Sequence, residues 1–260
     1  MPADPLLRVR DLSKTYFRRR WLFPALPATA ALAGVSFTLD RARTLAVIGA
    51  SGAGKSTLAR CLTQFETPTS GQILFEGRPL SPHRRLDIQL IFQQPAASLN
   101  PRFTAAEIVE EPLVIQRRGT GAERRHSAAS ALELTGIARS ALGKRAHQFS
   151  GGARQRLAIA RALVVEPKLL ILDESFNGLD VSLAAQIAAL LSGLQQRLGI
   201  AYILISHDLT RVAGLAHEIA ILEHGAIVEH GLTATLLSQP QHEHTRELIA
   251  AALALQGGAA

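Results

Sequence analysis

Residues 44–56 read TLAVIGASGAGKS, and this stretch decides the fold class. Its first five residues, Thr44–Ile48, form an apolar run with the length and composition of a short buried strand. A glycine-rich turn follows directly, and Lys55–Gln64 then has a helical pattern. Because the turn matches GxxxxGK[ST] between a strand and a helix, it predicts a phosphate-binding loop over Gly49–Ser56.

The residue types of this loop suit its predicted ligand. Glycines allow backbone N–H groups to curl around phosphate oxygens, and the N-terminal end of the following helix attracts an anion. Lys55 is expected to reach the β- and γ-phosphates. Ser56 is expected to place its hydroxyl on Mg²⁺.

A second strand ends in two acidic residues. The apolar run Leu169–Leu172 is followed at once by Asp173 and Glu174. Ligands of parallel sheets bind at the carboxyl ends of the strands, so Asp173 is a candidate for holding Mg²⁺. Glu174 can polarise an attacking water as a general base. Many strands end in solvated acidic residues, so the pair becomes specific only together with the phosphate-binding loop.

A third motif is the turn Ser150-Gly151-Gly152, which opens a basic helical pattern over Ala153–Val165. A serine hydroxyl, free backbone amides and a helix N-terminus together can form an anion site. An ordinary helix cap is the alternative interpretation of the same residues.

Strand and helix patterns alternate along the chain, which predicts a largely parallel sheet covered on both faces. A helical pattern over Thr104–Ala146 interrupts this order and is interpreted as an insertion, with breaks at Pro112 and at residues 119–121. The other predicted strands are Leu6–Arg10, Val35–Leu39, Ile88–Phe92, Tyr202–Ser206 and a hairpin formed by Ile219–Leu222 and Ala226–Glu229. A further helix is predicted over Val181–Leu198, and a basic and aromatic surface loop over Phe17–Phe23.

Composition limits the possible functions. The 260 residues are 47% hydrophobic, with 28 Lys and Arg against 21 Asp and Glu, a net charge of +7. The basic residues are dispersed without interleaved aromatic residues, so no nucleic-acid partner is expected. A single cysteine, Cys61, excludes an internal disulfide and a cysteine metal cage built by this chain alone. No signal peptide and no apolar run long enough to span a bilayer are apparent, so a membrane role is expected to be peripheral.

The motifs occur in the order found in ATP-binding cassette ATPases, and over nearly its whole length the chain resembles that family. The motifs that carry the resemblance are Gly49–Ser56, Phe149–Gly152, Asp173-Glu174 and Ile205–Asp208. The resemblance implies an active ATPase that binds ATP and Mg²⁺. A phosphate-loop kinase would not need the Ser150–Gly152 motif.

The same resemblance implies roles for residues that spacing alone leaves without meaning. Tyr16 matches the aromatic residue that stacks on adenine, and Gln93 matches the glutamine that senses Mg²⁺ and water. His207 matches the histidine that contacts the γ-phosphate, and Asp180 belongs to a loop that crosses a dimer interface. The implied catalytic residues are Lys55, Gln93, Glu174 and His207, and the implied metal ligands are Ser56, Gln93 and Asp173. The implied nucleotide contacts are Tyr16, Gly49, Ser51, Gly52, Gly54, Lys55, Ser56, Thr57, Ser150, Gly151, Gly152 and Asp180.

The implied fold is α/β: a P-loop NTPase with a mostly parallel, RecA-like core sheet, an antiparallel β subdomain and an inserted α-helical subdomain. In these terms residues 1–260 form a single nucleotide-binding domain. Its core comprises residues 1–95 and 157–235, its helical subdomain residues 96–156 and its tail residues 236–260. Two positions depart from the usual signature, since Phe149 and Ala153 stand where leucine and glutamine are common.

A finer resemblance concerns residues 91–102 and Pro240–Arg246, which are similar to segments of ATPases that serve oligopeptide, dipeptide and nickel importers. It implies a partner ATPase of the same or a different chain, two permease subunits and an extracytoplasmic solute-binding protein. The implied location is the cytoplasmic face of the inner membrane. The alternative is a cassette ATPase of a soluble complex, such as an accessory subunit of carbon–phosphorus lyase. A DNA-repair ATPase is less favoured, because no long coiled-coil insertion is present.

Overall fold

The computed structural model describes residues 4–16, 29–92, 98–176 and 178–257. The predicted surface loop Phe17–Phe23 therefore lies outside the described residues. The chain divides into two compact units, the first formed by Met1–Arg85 and Ala201–Ala260 and the second by Leu86–Ile200.

The described strands and helices alternate for most of the chain. The strands are β1 (Leu7–Tyr16), β2 (Thr29–Leu39), β3 (Thr44–Ile48), β4 (Ser70–Phe75), β5 (Arg78–Pro79), β6 (Ile88–Ile91), β7 (Leu169–Asp173), β8 (Ala201–Ser206), β9 (Glu218–Glu223) and β10 (Ala226–Leu232). The α-helices are α1 (Lys55–Leu62), α2 (Ala105–Ile115), α3 (Gly121–Leu134), α4 (Gly151–Leu163), α5 (Val181–Leu198), α6 (Leu209–Ala213), α7 (Thr233–Ser238) and α8 (Glu243–Gly257). Short 3₁₀ helices occupy Pro82–Asp87, Arg139–Ala141 and Ala146–Gln148.

The first unit contains a parallel group of strands. β3 pairs in parallel with β8 on one side and β9 on the other, and β10 joins β9 in an antiparallel hairpin. All five residues of β3 are buried, as expected for a central strand covered on both faces. Since Ile48 lies opposite Ser206, Gly49 and His207 leave neighbouring strands at the same edge.

The first unit also contains an antiparallel sheet with the strand order β2-β1-β4-β5. Strands β1 and β2 are longer than predicted, because the polar segment before Tyr16 is held by cross-strand pairing with β2 rather than by an alternating apolar pattern. The predictions missed the β4–β5 hairpin and the C-terminal helix α8. Only the last residue of β4, Phe75, is buried, so that strand lacks the alternation that marks a half-buried strand.

The second unit is mainly helical, with β6 and β7 paired in parallel. Helices α2 and α3 each begin at a threonine whose hydroxyl accepts a bond from the backbone of a glutamate three residues later, forming capping boxes at Thr104 and Thr120. The predicted break at Pro112 is wrong, because α2 continues through this residue to Ile115. Proline lacks the N–H that would donate one backbone hydrogen bond of the helix. Because Pro112 lies in the last turn of α2, the helix tolerates the loss of this bond. The break at residues 119–121 is confirmed.

The overall prediction of an α/β fold with a parallel core, an antiparallel sheet and a helical part is confirmed. An apolar cluster in the second unit joins α2, α3 and α4 through buried residues such as Ile108, Leu132 and Leu157. These contacts fix α4, the helix that begins at the Ser150 cap and contains Ala153.

Candidate nucleotide-binding site

The predicted phosphate-binding loop forms the turn between β3 and α1. Gly52 and Gly54 have φ angles of 83° and 105°, in the left-handed region that glycine adopts without steric cost. The Lys55 ammonium bends back over the loop and donates hydrogen bonds of 2.8 Å to the carbonyl oxygens of Gly49 and Ala50. Only 5% of Lys55 is exposed, so its charge is held at the inner side of the loop.

Backbone segments from two other strands enclose the loop. A Cβ atom at Gly49 would lie 2.2 Å from the carbonyl oxygen of Leu222, and one at Gly54 would lie 2.2 Å from that of Ala31. The turn of the β9–β10 hairpin also donates a hydrogen bond of 3.0 Å from the N–H of Gly225 to the carbonyl of Ala53. The loop is therefore shaped in advance, and its glycines are required by backbone contacts that the sequence motif does not reveal.

Tyr16 is the last residue of β1 and is 38% exposed. Its hydroxyl donates to the Glu66 carboxylate, and the Lys14 ammonium lies 5.2 Å from the centre of its ring. Burial, followed by the Glu66 contact, raises the pKa of the Tyr16 phenol above its usual value. An exposed aromatic face on a fixed ring can stack on a nucleobase. Sequence reasoning found Tyr16 through the family resemblance but missed Glu66 and Lys14.

His207 follows β8, and a network of hydrogen bonds fixes the backbone after it. Ser206 is buried and its hydroxyl accepts a hydrogen bond of 2.9 Å from the N–H of Asp208. Asp208 caps α6 by accepting hydrogen bonds of 2.9 Å from Thr210 N–H and from Arg211 Nε. Burial raises the pKa of Asp208, but these hydrogen bonds outweigh it and hold that pKa below its usual value.

In the second unit, Asp173 ends β7 and Glu174 begins the turn that follows it. Asp173 is 9% exposed, and Glu174 has a φ of 49°, which is uncommon for a residue other than glycine. The Ser175 hydroxyl lies 3.3 Å from the carbonyl oxygen of Ile91, and the Gln155 amide donates a hydrogen bond of 3.2 Å to the Ser175 carbonyl. The turn that carries Glu174 is therefore held from β6 and from α4, consistent with local strain at a functional residue.

The Ser150–Gly152 turn begins α4 in the second unit. The Ser150 hydroxyl accepts a hydrogen bond of 3.3 Å from the N–H of Ala153, so the serine does cap the helix. A Cβ atom at Gly151 would meet nothing within 4 Å, and one at Gly152 would meet only the flexible side chain of Leu183. Asp180 caps α5 by accepting a hydrogen bond of 2.8 Å from the N–H of Leu183. A capped helix terminus still presents backbone N–H groups to an anion.

The predicted site residues fall into two groups. The first unit holds the phosphate-binding loop with exposed Ser51, together with Ser56 and Thr57 at the start of α1, Tyr16 and His207. The second unit holds Ser150, Gly151, Gly152, Asp173, Glu174 and Asp180. Gln93, predicted as a metal ligand and catalytic residue, lies outside the described residues.

The donor groups fit the predicted ligands. Oxygen donors of the kind found at Ser56 and Asp173 are those that Mg²⁺ prefers. The glycine loop with Lys55 is the arrangement that holds polyphosphate. Among the described ranges, no helix combines the length and apolar content needed to cross a membrane.

Comparison with known proteins gives consistent matches. Residues 32–177 match a family profile described as ABC transporter. The dipeptide transport ATP-binding protein DppF of Haemophilus influenzae is 42% identical over 254 residues, which cover 95% of this chain and 78% of that protein.

Two solved structures are similar over most of the chain. The structure of cbiO1 from Clostridium perfringens, described as part of the ABC transporter complex cbiONQ, has a TM-score of 0.79 and 30% identity and covers 91% of this chain and 92% of its own. A dimeric structure of the ATP-binding cassette MJ0796, in a post-hydrolysis state bound to ADP and Pi, has a TM-score of 0.74 and 28% identity. That alignment covers 87% of this chain and 98% of the other.

Proposed function

The chain belongs to the ABC transporter family and is an ATP-hydrolysing ATPase, and on that premise we propose that it powers a membrane importer of peptides or of nickel and other metal chelates. The observation that carries this proposal is the 42% identity to a dipeptide transport ATP-binding protein over 95% of this chain. Metal chelates are included because Pro240–Arg246 resembles the tail of nickel and peptide importer ATPases alike. DppF and cbiO1 are both named as parts of transporters, so the alternative of a soluble complex gains no support.

In this proposal the first unit binds the nucleotide. Backbone N–H groups of Gly49–Gly54 and the start of α1 surround the phosphates, with Lys55 at the β- and γ-phosphates and Tyr16 under the adenine. The enclosed glycine loop supports this role, because its shape is fixed before the ligand arrives and little ordering remains to be done on binding.

The roles in hydrolysis are assigned from the sequence motifs. Glu174 orients and polarises the attacking water, while Lys55 and His207 stabilise the charge that develops on the transferring phosphoryl group. Ser56, Asp173 and Gln93 are the proposed ligands of Mg²⁺, which neutralises phosphate charge when bound. The turn that carries Glu174 supports this role, because the hydrogen bonds that Ser175 makes with Gln155 and Ile91 hold that turn at the end of β7.

A second ATPase subunit completes the proposed site, and it is either another copy of this chain or a different chain. Ser150–Gly152 of one subunit covers the nucleotide held by the other, with Asp180 in the loop that crosses the interface. The open position at Gly151 supports this arrangement, and the MJ0796 cassette is a precedent because its structure is dimeric.

The proposed permease contact lies in the second unit. A cleft of about 250 Å³ there is lined by the exposed residues Phe92 and Ile115 and by an ion pair in which Arg161 Nη1 lies 3.6 Å from Glu111 Oε2. Exposed apolar residues around a polar pair are suited to a short amphipathic segment. One permease subunit would dock there and a second on the partner ATPase, placing the chain at the cytoplasmic face of the inner membrane, and an extracytoplasmic binding protein would deliver the cargo.

Co-purification from detergent-solubilised native membranes tests the transport assignment. We expect mass spectrometry of the tagged chain to find two multi-span permease chains, with or without a second ATPase. Recovery of a soluble complex with no membrane protein would refute the assignment and leave a non-transport ATPase.

The variant Glu174→Gln tests the catalytic assignment. We expect ATP turnover to fall by at least about 100-fold, because the amide cannot act as a base, while ATP binding is retained. ATPase activity and ATP affinity of the purified chain are the two measurements. Glu166→Gln, outside the proposed machinery, is the control, and full turnover of Glu174→Gln would show that another group is the base.

A further inference from the structure

Three charged side chains in the first unit form a cluster with Tyr16, whose ring is proposed to stack on adenine. Glu66 is its centre: it accepts the hydroxyl of Tyr16, and its two oxygens lie 3.8 Å from Lys14 Nζ and 3.4 Å from Arg60 Nη1. The Glu66 side chain is only one-fifth exposed. We call Lys14, Tyr16, Arg60 and Glu66 the Glu66 cluster.

The cluster connects the ring to the helix that follows the phosphate-binding loop. Arg60 lies in the last turn of α1, and the Arg60 carbonyl accepts a hydrogen bond of 3.1 Å from the N–H of Glu66. Since α1 begins at Lys55, one rigid helix runs from the phosphate-binding loop to the residues that hold Glu66. The distance between ring and loop is thus set by α1, through the Glu66 carboxylate and through Thr57, whose side chain also hydrogen-bonds the Tyr16 hydroxyl.

Lys14 adds a second constraint on the ring. Its ammonium donates a hydrogen bond of 2.7 Å to the Thr67 carbonyl while lying 5.2 Å from the centre of the Tyr16 ring. A cation in this position is attracted to the ring face and occupies it. The ring is therefore held at its hydroxyl and contacted by Lys14, and 38% of Tyr16 is exposed, which gives a base a surface on which to stack.

We propose that Glu66 is a positioning residue for nucleotide binding, which acts through the Tyr16 hydroxyl to hold the ring at a fixed distance from the phosphate-binding loop. This inference rests on the proposed function, because it requires that Tyr16 stacks on the adenine of ATP. It predicts that Glu66 affects the affinity for the base part of ATP and leaves the affinity for the polyphosphate part unchanged.

Isothermal titration calorimetry of the full chain tests the proposal with two ligands, ATP and inorganic tripolyphosphate, which lacks the base. The variants are Tyr16→Ala, Tyr16→Phe, Glu66→Ala, Glu66→Gln and the double variant Tyr16→Phe with Glu66→Ala. Glu76→Ala is the matched control. Glu76 is also one-fifth exposed and paired with two arginines, Arg41 and Arg84, and it makes no contact with Tyr16 in the described bonds.

We expect Glu66→Ala and Tyr16→Phe each to weaken ATP binding about 5- to 10-fold, the usual effect of losing one hydrogen bond, and to leave tripolyphosphate binding unchanged. The double variant should bind ATP no more weakly than Tyr16→Phe, because Tyr16→Phe already removes the bond to Glu66 together with the contact to Thr57. Glu66→Gln should retain most of the affinity, since its amide oxygen still accepts the phenol hydrogen. Glu76→Ala should bind both ligands normally.

Other results would overturn the proposal in distinguishable ways. If Tyr16→Ala weakens ATP binding but Glu66→Ala and Tyr16→Phe do not, the ring stacks on adenine without help from Glu66, and only the positioning role fails. Equal losses for ATP and tripolyphosphate in Glu66→Ala would refute a role confined to the base. If Tyr16→Ala itself binds ATP normally, the proposed role of Tyr16 fails. Should Glu66→Ala not fold, Tyr16→Phe removes the bond to Glu66 together with the contact to Thr57, and Thr57→Val, which removes only the second, separates the two.

Discussion

Two glycine-containing helix starts in this molecule differ in how they are built. The phosphate-binding loop Gly49–Ser56 is enclosed by the backbones of β2 and β9, and no side chain caps the helix that follows it. The Ser150–Gly152 turn caps its own helix with the Ser150 hydroxyl, and Gly151 faces open space. Both present backbone N–H groups, yet only the first is closed in by other parts of its unit.

Because of this difference, the two regions are expected to bind ligands in different ways. The phosphate-binding loop is fixed by backbone contacts on two sides and has the buried Lys55 at its inner side. It therefore needs little rearrangement to bind a ligand. The Ser150–Gly152 turn, with its capped helix and open glycine, is a surface that is expected to function only when a nucleotide or a partner subunit contacts it. The glycines of the first region are required by the folded chain, and those of the second by the proposed nucleotide or partner subunit.

The largest effect is expected from Lys55→Met. Its buried ammonium lies at the inner side of the loop, where it is proposed to meet the β- and γ-phosphates, so its loss should reduce ATP hydrolysis by more than about 100-fold. Measurement of turnover and of ATP affinity in the purified chain checks this. Lys144→Met, on an exposed side chain of the second unit, should match the parent. Substantial ATP affinity in Lys55→Met would mean that the enclosed backbone alone carries binding.

The matched pair Gly54→Ala and Gly151→Ala tests the comparison directly. At Gly54 the φ of 105° and a Cβ position 2.2 Å from Ala31 O predict a loss of about 2 kcal/mol in the free energy of unfolding, together with loss of ATP binding. At Gly151, which is helical and has open space, alanine should leave stability unchanged or slightly higher. Thermal unfolding and calorimetry of both variants provide the measurements.

Equal losses of stability and of ATP binding in Gly54→Ala and Gly151→Ala would contradict the difference between the two regions. Such losses would mean that Gly151 is also enclosed, or that the loop adapts more easily than its contacts with β2 and β9 indicate. Loss of turnover in Gly151→Ala with intact ATP binding would instead support the difference between the two regions. It would assign the open position at Gly151 to the proposed contact with a partner subunit.

The sequence predicted the parts of this molecule that local pattern determines. The apolar run Thr44–Ile48, the loop after it and the hairpin around His224 follow from residue order alone. The structure has Thr44–Ile48 with the expected bounds, while both hairpin strands are longer than predicted. The longer β1 and β2, the β4–β5 hairpin and the continuation of α2 past Pro112 depend on pairing with distant segments, which local pattern does not encode.

The residues of the candidate site that belong to local motifs were likewise predictable, and the contacts between distant residues were not. Lys55, Ser56, Asp173 and Glu174 follow from motifs whose chemistry is local. The enclosure of Gly49 and Gly54, and the Glu66 cluster around Tyr16, arise from contacts between residues far apart in the chain. Glu66 is 50 residues from Tyr16, and nothing in either local pattern links them.

The smallest effect is expected from Ser150→Ala, which removes the cap of α4 and leaves Gly151 and Gly152 in place. Loss of a serine N-cap costs about 1 kcal/mol of stability, so the variant should fold and bind ATP with parental affinity. Thr104→Ala removes the comparable cap of α2 and serves as the control.

If the Ser150 hydroxyl only caps its helix, the two variants should lose similar stability and keep equal ATPase activity. If that hydroxyl also contacts the nucleotide across a dimer, Ser150→Ala alone should lose turnover, by about tenfold for one charge-assisted hydrogen bond. Equal turnover in both variants would confine Ser150 to its structural role and leave the exposed N–H groups of the turn as the only means of contact.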